Sequence, residues 1–153
     1  MIDQTLLTDE VRALVGRAGE PAPVRVTRRA AERAMDVYYG HHNGAVATDG
    51  TVKGVVLAAL ENESESIRYP DLLPDGLLIS NEWEFSRPLR LDEELIVQSR
   101  LVDINERFGG RFGYSLYFRS DAEFRDSTGE IVARSVRTMM QYDAASARDG
   151  AEE

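Results

Sequence analysis

The pattern of hydrophobic positions changes its period once along the chain. Near the middle, apolar residues recur at the three- and four-residue spacing of one helix face. These residues are Val52, Val55, Val56, Ala59 and Leu60. From Leu77 to Tyr142, apolar and polar residues alternate instead, as they do along a half-buried strand. The pattern predicts one central helix followed by a long run of strands.

Turn residues divide this run into four antiparallel strands. Arg87-Pro88 ends the first strand, and Gly109-Gly110 supplies the positive φ angles of a hairpin turn. A turn at residues 127–129 leads into the last strand. In the first strand, the alternation predicts that three side chains face the core: Ile79, Trp83 and Phe85.

Two shorter helices are predicted before the central one. Thr8 caps the first helix and Gly16 ends it, while Thr27 caps the second, after which a loop begins at Gly40. The apolar face of the second helix is predicted to contain Ala30, Ala31, Ala34, Met35 and Tyr38.

A helix followed by an antiparallel meander long enough to wrap around it is typical of the hotdog fold, which belongs to the α+β class. We predict a single domain over residues 1–142 and a disordered polar tail over residues 143–153. One chain of 153 residues cannot cover both faces and both edges of such strands. We therefore expect a homodimer or heterodimer that joins two sheets side by side.

Composition and charge narrow the classes of function. The chain is 42% hydrophobic and 29% charged, as in ordinary soluble domains, and it shows neither a membrane span nor a secretory signal. We therefore expect a cytoplasmic protein. The chain contains no cysteine, which excludes disulfides and thiolate metal sites. A net charge of -9 argues against binding to nucleic acid.

The strand half of the chain also carries a family resemblance. The segments EFSRPL and RDSTGEIVARSVRT resemble the MaoC-like hydratases and dehydratases, particularly their N-terminal-type members. Those members pair with a second, catalytic hotdog in fused or heterodimeric enzymes. The resemblance covers about residues 20–142. It implies a role in lipid metabolism on acyl thioesters of coenzyme A or acyl carrier protein, without a cofactor.

Active members of that family carry an Asp and a His in the pattern Gly-Asp-x-Asn-Pro-x-His. A carboxylate and an imidazole together hold the water that adds across the double bond. The matching segment here reads AMDVYYGHHNGAVATD and fits the pattern in two registers. One places Asp36 and His41 at the family's separation. The other aligns Gly40 and Asn43 with the family's Gly and Asn, and leaves His41 and Val46 where Asp and His belong.

Geometry leaves both registers open. Residues five apart lie about 140° apart around an ideal helix, so Asp36 and His41 converge only if the helix ends between them. Gly40 offers such an end. In this first register, Asp36 and His41 are the candidate catalytic residues. The adjacent His41 and His42 do not predict a metal site, because no second cluster of ligands accompanies them.

Other residues are candidates for binding the substrate. The backbone N–H of Gly54, at the start of the central helix, could donate to the thioester carbonyl as an oxyanion hole, or Gly54 could simply allow close packing. Arginines could bind the phosphates of coenzyme A, and tyrosines could line the acyl pocket. The candidates for substrate binding are Tyr38, Tyr39, His42, Asn43, Arg87 and Arg107.

We interpret the chain as a subunit of an enoyl-thioester hydratase or 3-hydroxyacyl-thioester dehydratase, active alone or as the non-catalytic partner in a heterodimer. The alternatives are a hotdog thioesterase, in which Glu61 or Glu63 would supply the carboxylate, and a non-catalytic module that binds acyl thioesters.

Overall fold

The computed structural model describes residues 4–60 and 69–149, so the predicted thioesterase residues Glu61 and Glu63 lie outside the described residues. The elements in chain order are α1 (Asp9–Arg12), β1 (Ala22–Arg25), α2 (Arg28–Tyr39), β2 (Thr51–Val52), α3 (Val56–Leu60), β3 (Asp75–Phe85), β4 (Leu89–Arg90), β5 (Glu94–Arg107), β6 (Ser115–Arg125), β7 (Ile131–Tyr142) and α4 (Ala144–Asp149).

Five strands form one antiparallel sheet in the order β1-β5-β6-β7-β3, and β2 pairs with β4 in a separate two-stranded ribbon. The short helix α3 contributes buried Val56, Leu57 and Leu60 to the core against this sheet. The predicted α+β architecture, an antiparallel sheet around a central helix, is confirmed.

Two hydrophobic clusters cover the same face of the sheet. The first contains side chains of α2 and α3 together with Phe124, and the second contains Leu7 and Val11 of the N-terminal segment together with Phe118. Phe118 and Phe124 are separated by an even number of residues along β6, so their side chains lie on one face. Helices α2 and α3 therefore cover one end of this face, and the N-terminal segment covers the other.

The predicted N-caps are confirmed, but α1 ends at Arg12 and not at the predicted Gly16, because the N–H groups of residues 14 and 15 bond three residues back in turns. The Thr8 hydroxyl accepts a hydrogen bond from the Val11 N–H, and the Thr27 hydroxyl accepts one from the Ala30 N–H. Gly40 follows α2 with a left-handed φ of 75°, a conformation that glycine adopts without steric cost. Tyr38 was predicted on the buried face of α2 but is 56% exposed, because it lies in the last turn, beyond Met35, the last buried residue of the helix.

The central helix begins later than the hydrophobic period predicted. Val52 belongs to β2, where it pairs with Leu89 of β4, and α3 starts only at Val56. Val52 is nevertheless buried in the same cluster as α3. Its apolar side chain fits the period of the helix because it faces the same core from a strand.

The prediction that Ile79, Trp83 and Phe85 all face the core was wrong for Ile79. A β-bulge between Leu78 and Ser80 displaces Ile79 from the ladder, and its side chain is 47% exposed. Phe85 lies on the same face as Trp83 and stacks on its ring, but it is 39% exposed because it is the last residue of the strand. Trp83 does pack against the first cluster, with its ring centroid 5.7 Å from that of Phe124.

Part of the segment predicted as a disordered tail is helical. The Asp143 carboxylate accepts hydrogen bonds from the Ala145 N–H and the Ser146 hydroxyl, and Asp75 accepts one from the Ala144 N–H. These bonds satisfy N–H groups at the start of α4, which otherwise lack partners within the helix.

Arg87 joins three loops at the end of the sheet near Phe85. Its guanidinium donates hydrogen bonds to both carboxylate oxygens of Glu93 and one to Asp126, at 3.3 Å. The Asp126 carboxylate also accepts from the hydroxyl and N–H of Thr128, and from the N–H of Glu130. The Thr128 hydroxyl, followed by the backbone donors and Arg87, lowers the pKa of Asp126 to about 2. The hydrogen bond from Arg87 lowers the pKa of Glu93.

A first prediction concerns the core. Phe124→Ala should lower the free energy of unfolding by about 3–5 kcal/mol, because the fully buried ring would leave a cavity. Val102→Ala, at an exposed position, should lower it by less than about 1 kcal/mol. Denaturant melts of both variants test this, and equal losses would contradict the assignment of the core.

A second prediction concerns acid stability. The pKa of Asp126 is lower in the folded chain than in the unfolded chain, so its stabilising contribution is complete above pH ~4 and is lost as pH falls toward about 2. The melting temperature should fall less steeply between pH 5 and pH 2 in Asp126→Asn than in the wild type. Thr128→Val should show a smaller change in the same direction. If the melting temperatures of all three proteins fall in parallel between pH 5 and pH 2, the role of Asp126 is contradicted.

Candidate functional site

A pocket of about 540 Å³ opens where the loop after α2, the start of α3 and the end of β3 meet. Its walls are Gly44 and Ala47 of the loop, residues 51–54, and residues 85–88. Gly54 and Arg87, both predicted from the sequence as site residues, therefore face one cavity.

Gly54 lies in the turn before α3, and its carbonyl accepts a hydrogen bond from the Leu57 N–H at 3.0 Å. The Phe85 ring packs directly against Gly54: a Cβ atom at position 54 would lie 2.6 Å from the ring carbons. Only glycine admits the ring at this distance without a shift. The Phe85 ring is thus the group that packs closely against Gly54, as the close-packing alternative requires. The role of the Gly54 N–H as an oxyanion donor stays a prediction.

The structure pairs Asp36 with His42. Asp36 lies in the last turn of α2, and its Oδ1 is 3.2 Å from Nδ1 of His42. Because the left-handed Gly40 turns the chain back at the end of α2, the second of the two histidines returns to Asp36. His41 is exposed. In the first register, His41 is predicted opposite Asp36, and His42 is predicted among the substrate contacts.

This Asp36–His42 pair lies on the surface, outside the walls of the pocket. The side chains of Asp36 and His42 are 54% and 63% exposed, and Asn43 is exposed beside them. In the alternative register, the family's histidine falls on Val46, which forms a β-bridge with Val52 and packs against the core. The side chain of Val46 therefore contributes to the packing of the core.

The side chain of Lys53 lies over the ring of Tyr39. The Lys53 ammonium lies 4.4 Å from the centroid of the Tyr39 ring, a cation–π contact, and Lys53 also lines the pocket. None of the residues predicted for the site is Lys53. The available signal was composition, because Lys53 is the only lysine in the chain.

The two arginines predicted to bind phosphate lie in different places. Arg87 lines the pocket, but its guanidinium is bonded to Glu93 and Asp126. Arg107 pairs with Ser115 at the end of β5, level with Asp75 and therefore at the opposite end of β3 from Phe85. The eleven residues of β3 span roughly 35 Å, which separates Arg107 from the pocket.

Within the described residues, no helix has the length and apolar character needed to cross a membrane. No group of three or more His, Asp or Glu side chains in that part of the chain could hold a metal ion.

No protein-family model and no curated protein matches the chain. Solved structures do match it. A MaoC-like dehydratase from Rhodospirillum rubrum is 18% identical over 84% of this chain and 92% of that chain, with a TM-score of 0.57. A chain of the ChsH1-ChsH2 complex from Mycobacterium tuberculosis is 12% identical over 88% of this chain and 92% of that chain, with a TM-score of 0.60.

A third structure, described as a MaoC-like dehydratase, is 25% identical over 88% of this chain and 44% of that chain, with a TM-score of 0.57. These matches agree in fold with the family that EFSRPL and RDSTGEIVARSVRT resemble, and they cover 84% to 88% of this chain. They confirm the predicted fold: this chain has the hotdog fold of the MaoC-like dehydratases and hydratases.

Proposed function

We propose that this chain is the non-catalytic, substrate-binding half of a hotdog heterodimer that hydrates enoyl thioesters or dehydrates 3-hydroxyacyl thioesters. The observation that carries the proposal is the chemistry of the pocket. Among the described residues, neither a carboxylate nor an imidazole lines it.

Hydration of an enoyl thioester requires a pair of groups that exchange protons with one bound water. The charged residues of the pocket are Lys53 and Arg87, which are both cations, and Arg87 is already bonded to two carboxylates. Within the described residues, the pocket therefore offers cations that can orient a substrate but no proton-exchanging pair. A partner subunit would supply that pair.

The edge of the sheet supports association with such a partner. No described strand pairs with the outer side of β3, the last strand of the sheet, and the strand itself carries three exposed apolar residues, Leu77, Leu78 and Ile79. An apolar edge of this kind is a template for a strand of another sheet. The matching ChsH1-ChsH2 structure is a complex by its name, and the 25% identical dehydratase is more than twice as long as its matched segment.

One observation favours a second candidate, a hydratase that is active alone. The Asp36–His42 contact at 3.2 Å brings together the two required types of group. For this candidate, the pair would hold the water while the Gly54 N–H stabilises the enolate. The exposure of both side chains and their position outside the pocket walls argue against it.

A third prediction tests the choice between these candidates. The isolated chain should not hydrate a trans-2-enoyl-CoA, and activity should appear on co-expression with a catalytic hotdog partner. Asp36→Asn, His41→Ala and His42→Ala should leave the activity of the complex within about twofold, because the partner carries the proton transfer.

The opposite result would replace the proposal with the second candidate. In that case the isolated wild type would turn over enoyl-CoA, and Asp36→Asn or His42→Ala would lower its rate by roughly 10²- to 10⁴-fold. Circular dichroism of each variant would confirm that the fold is intact.

A fourth prediction concerns the edge strand. The chain should sediment as a species heavier than its 17.1 kDa monomer, alone or with the partner, and Leu78→Glu should reduce association by placing a charge on the β3 edge. Val102→Glu, which adds the same charge at an exposed position of β5, should not. A wild type that stays monomeric with every partner would contradict the dimer.

A further inference from the structure

The loop after α2 contains the one Asn-Gly sequence of the chain, Asn43-Gly44. The other asparagines, Asn62, Asn81 and Asn105, are each followed by glutamate. Asparagine is a thermolabile residue. Its side-chain amide is most exposed to attack where the next residue lacks a Cβ atom, because the next backbone nitrogen can then approach it closely. The loop therefore contains a sequence that is suited to a spontaneous chemical change.

The backbone of Asn43-Gly44 forms an exposed turn. The Ala45 N–H donates to the His42 carbonyl oxygen at 3.2 Å, so Asn43 and Gly44 are the two central residues of the turn. Gly44 has a φ of 72°, whereas the φ of Asn43 is negative. This combination fits a type II turn, whose third position favours glycine. Both central residues are exposed, so water and solvent bases reach them.

The reacting groups of the turn have no competing partners. Among the described residues, neither the Asn43 side-chain amide nor the Gly44 N–H takes part in a hydrogen bond. The Asn105 amide, by contrast, donates to the Asp103 carboxylate at 2.6 Å. Asn81 and Asn105 both lie in paired strands, where the ladder fixes the backbone. In the described part of the chain, Asn43 is therefore the asparagine that can turn its side chain toward the following nitrogen.

We propose that Asn43 converts spontaneously to aspartate and isoaspartate through a cyclic succinimide. The Gly44 nitrogen gives its proton to a solvent base and forms a bond to Cγ of Asn43. The bond between Cγ and Nδ2 breaks, and Nδ2 takes up a proton and leaves as ammonia. No atom is oxidised or reduced. The conversion needs neither a partner subunit nor an acyl thioester, so it does not rest on the proposed function.

Solvent water then opens the ring at either of its two carbonyl carbons. Attack at Cγ breaks the new bond to the Gly44 nitrogen and leaves a normal aspartate. Attack at the main-chain carbonyl carbon of residue 43 breaks the original peptide bond, so the chain then runs through Cβ and Cγ. This isoaspartate has a free α-carboxylate and adds a methylene group to the main chain. Both products add a negative charge to the loop.

The position of the turn gives the conversion a structural consequence. Gly44 lines the candidate pocket, and the next residue, Ala45, is buried in the first hydrophobic cluster. An extra methylene group at residue 43 lengthens the turn between His42 and Ala45. The Ala45 N–H then loses its bond to the His42 carbonyl, and an unpaired N–H on a buried residue is unfavourable. We therefore expect isoaspartate to displace this wall of the pocket and to destabilise the chain.

Incubation of the purified chain in ¹⁸O-labelled water at mildly alkaline pH tests the conversion. Peptide mapping by mass spectrometry locates the product, and an isoaspartyl methyltransferase measures the isoaspartate. We expect one ¹⁸O atom to enter residue 43 and the isoaspartyl signal to grow with time, while Asn81 and Asn105 stay intact. Asn43→Gln is the matched control, because its longer side chain would have to close a larger ring. This variant should lose the isoaspartyl signal.

Two outcomes of this incubation would overturn the proposal. One is an Asn43 side chain that stays intact in the folded chain, and a parallel incubation in denaturant would show whether the fold protects it. The other is conversion of Asn81 or Asn105 as fast as that of Asn43, since the free groups of the turn would then have no influence on the rate.

A second experiment separates the extra methylene group from the extra charge. Chromatography isolates the isoaspartyl form, and Asn43→Asp carries the same added charge on a normal main chain. Asn43→Asp should melt close to the wild type, because residue 43 is exposed. The isoaspartyl form should melt at a lower temperature than Asn43→Asp. Equal melting temperatures of these two forms would refute the effect on the turn.

Discussion

The need to cover one apolar face of a long sheet governs the rest of this structure. Strands β5, β6 and β7 are eleven to fourteen residues long and present buried side chains along that face. No single short helix can cover it. Helices α2 and α3 pack over the end around Phe124, and the N-terminal segment packs over the end around Phe118. The candidate pocket forms beside helices α2 and α3, where the turn into α3 meets the end of β3.

Residues 69–73 also pack over the end of the sheet around Phe118, and a polar side chain holds this segment there. The Gln141 side chain accepts hydrogen bonds from the N–H groups of Leu72 and Leu73 and donates one to the Pro70 carbonyl at 2.9 Å. Gln141 is buried, so its amide needs these partners, and the segment needs the amide because its own backbone groups have no strand to pair with. A buried polar residue thus holds an irregular segment against an apolar face.

The sequence predicted the fold better than it predicted the site, and the reasons are physical. The change of period from helix to strand reports which side chains face the core, so the architecture could be inferred. The same signal cannot separate a core residue in a strand from one in a helix, which is why Val52 was assigned to α3. The bulge at Ile79 breaks the alternation without any glycine or proline to mark it. The partners of Arg87 lie six and thirty-nine residues away, so no local pattern could show that its charge is engaged.

The two segments that carry the family resemblance meet in space. Arg87 of EFSRPL is bonded to Asp126 of RDSTGEIVARSVRT, and the Ser86 hydroxyl donates to the carbonyls of Ile131 and Val132. The residues that make these stretches recognisable therefore close one corner of the sheet beside the pocket. This explains why the resemblance identified the fold while leaving the catalytic residues open.

The bulge in β3 limits what the free edge of the sheet can accept. It divides the strand into two short ladders, residues 75–78 and 80–85, whose hydrogen-bonding groups are out of step by one residue. A regular strand from another chain can pair with one ladder but cannot continue into the other. A partner must carry its own irregularity at the matching position, or stop there. The edge therefore accepts only a strand that is short enough to stop at the bulge or that carries a matching irregularity. Repeated edge-to-edge addition of identical regular strands into fibres is disfavoured.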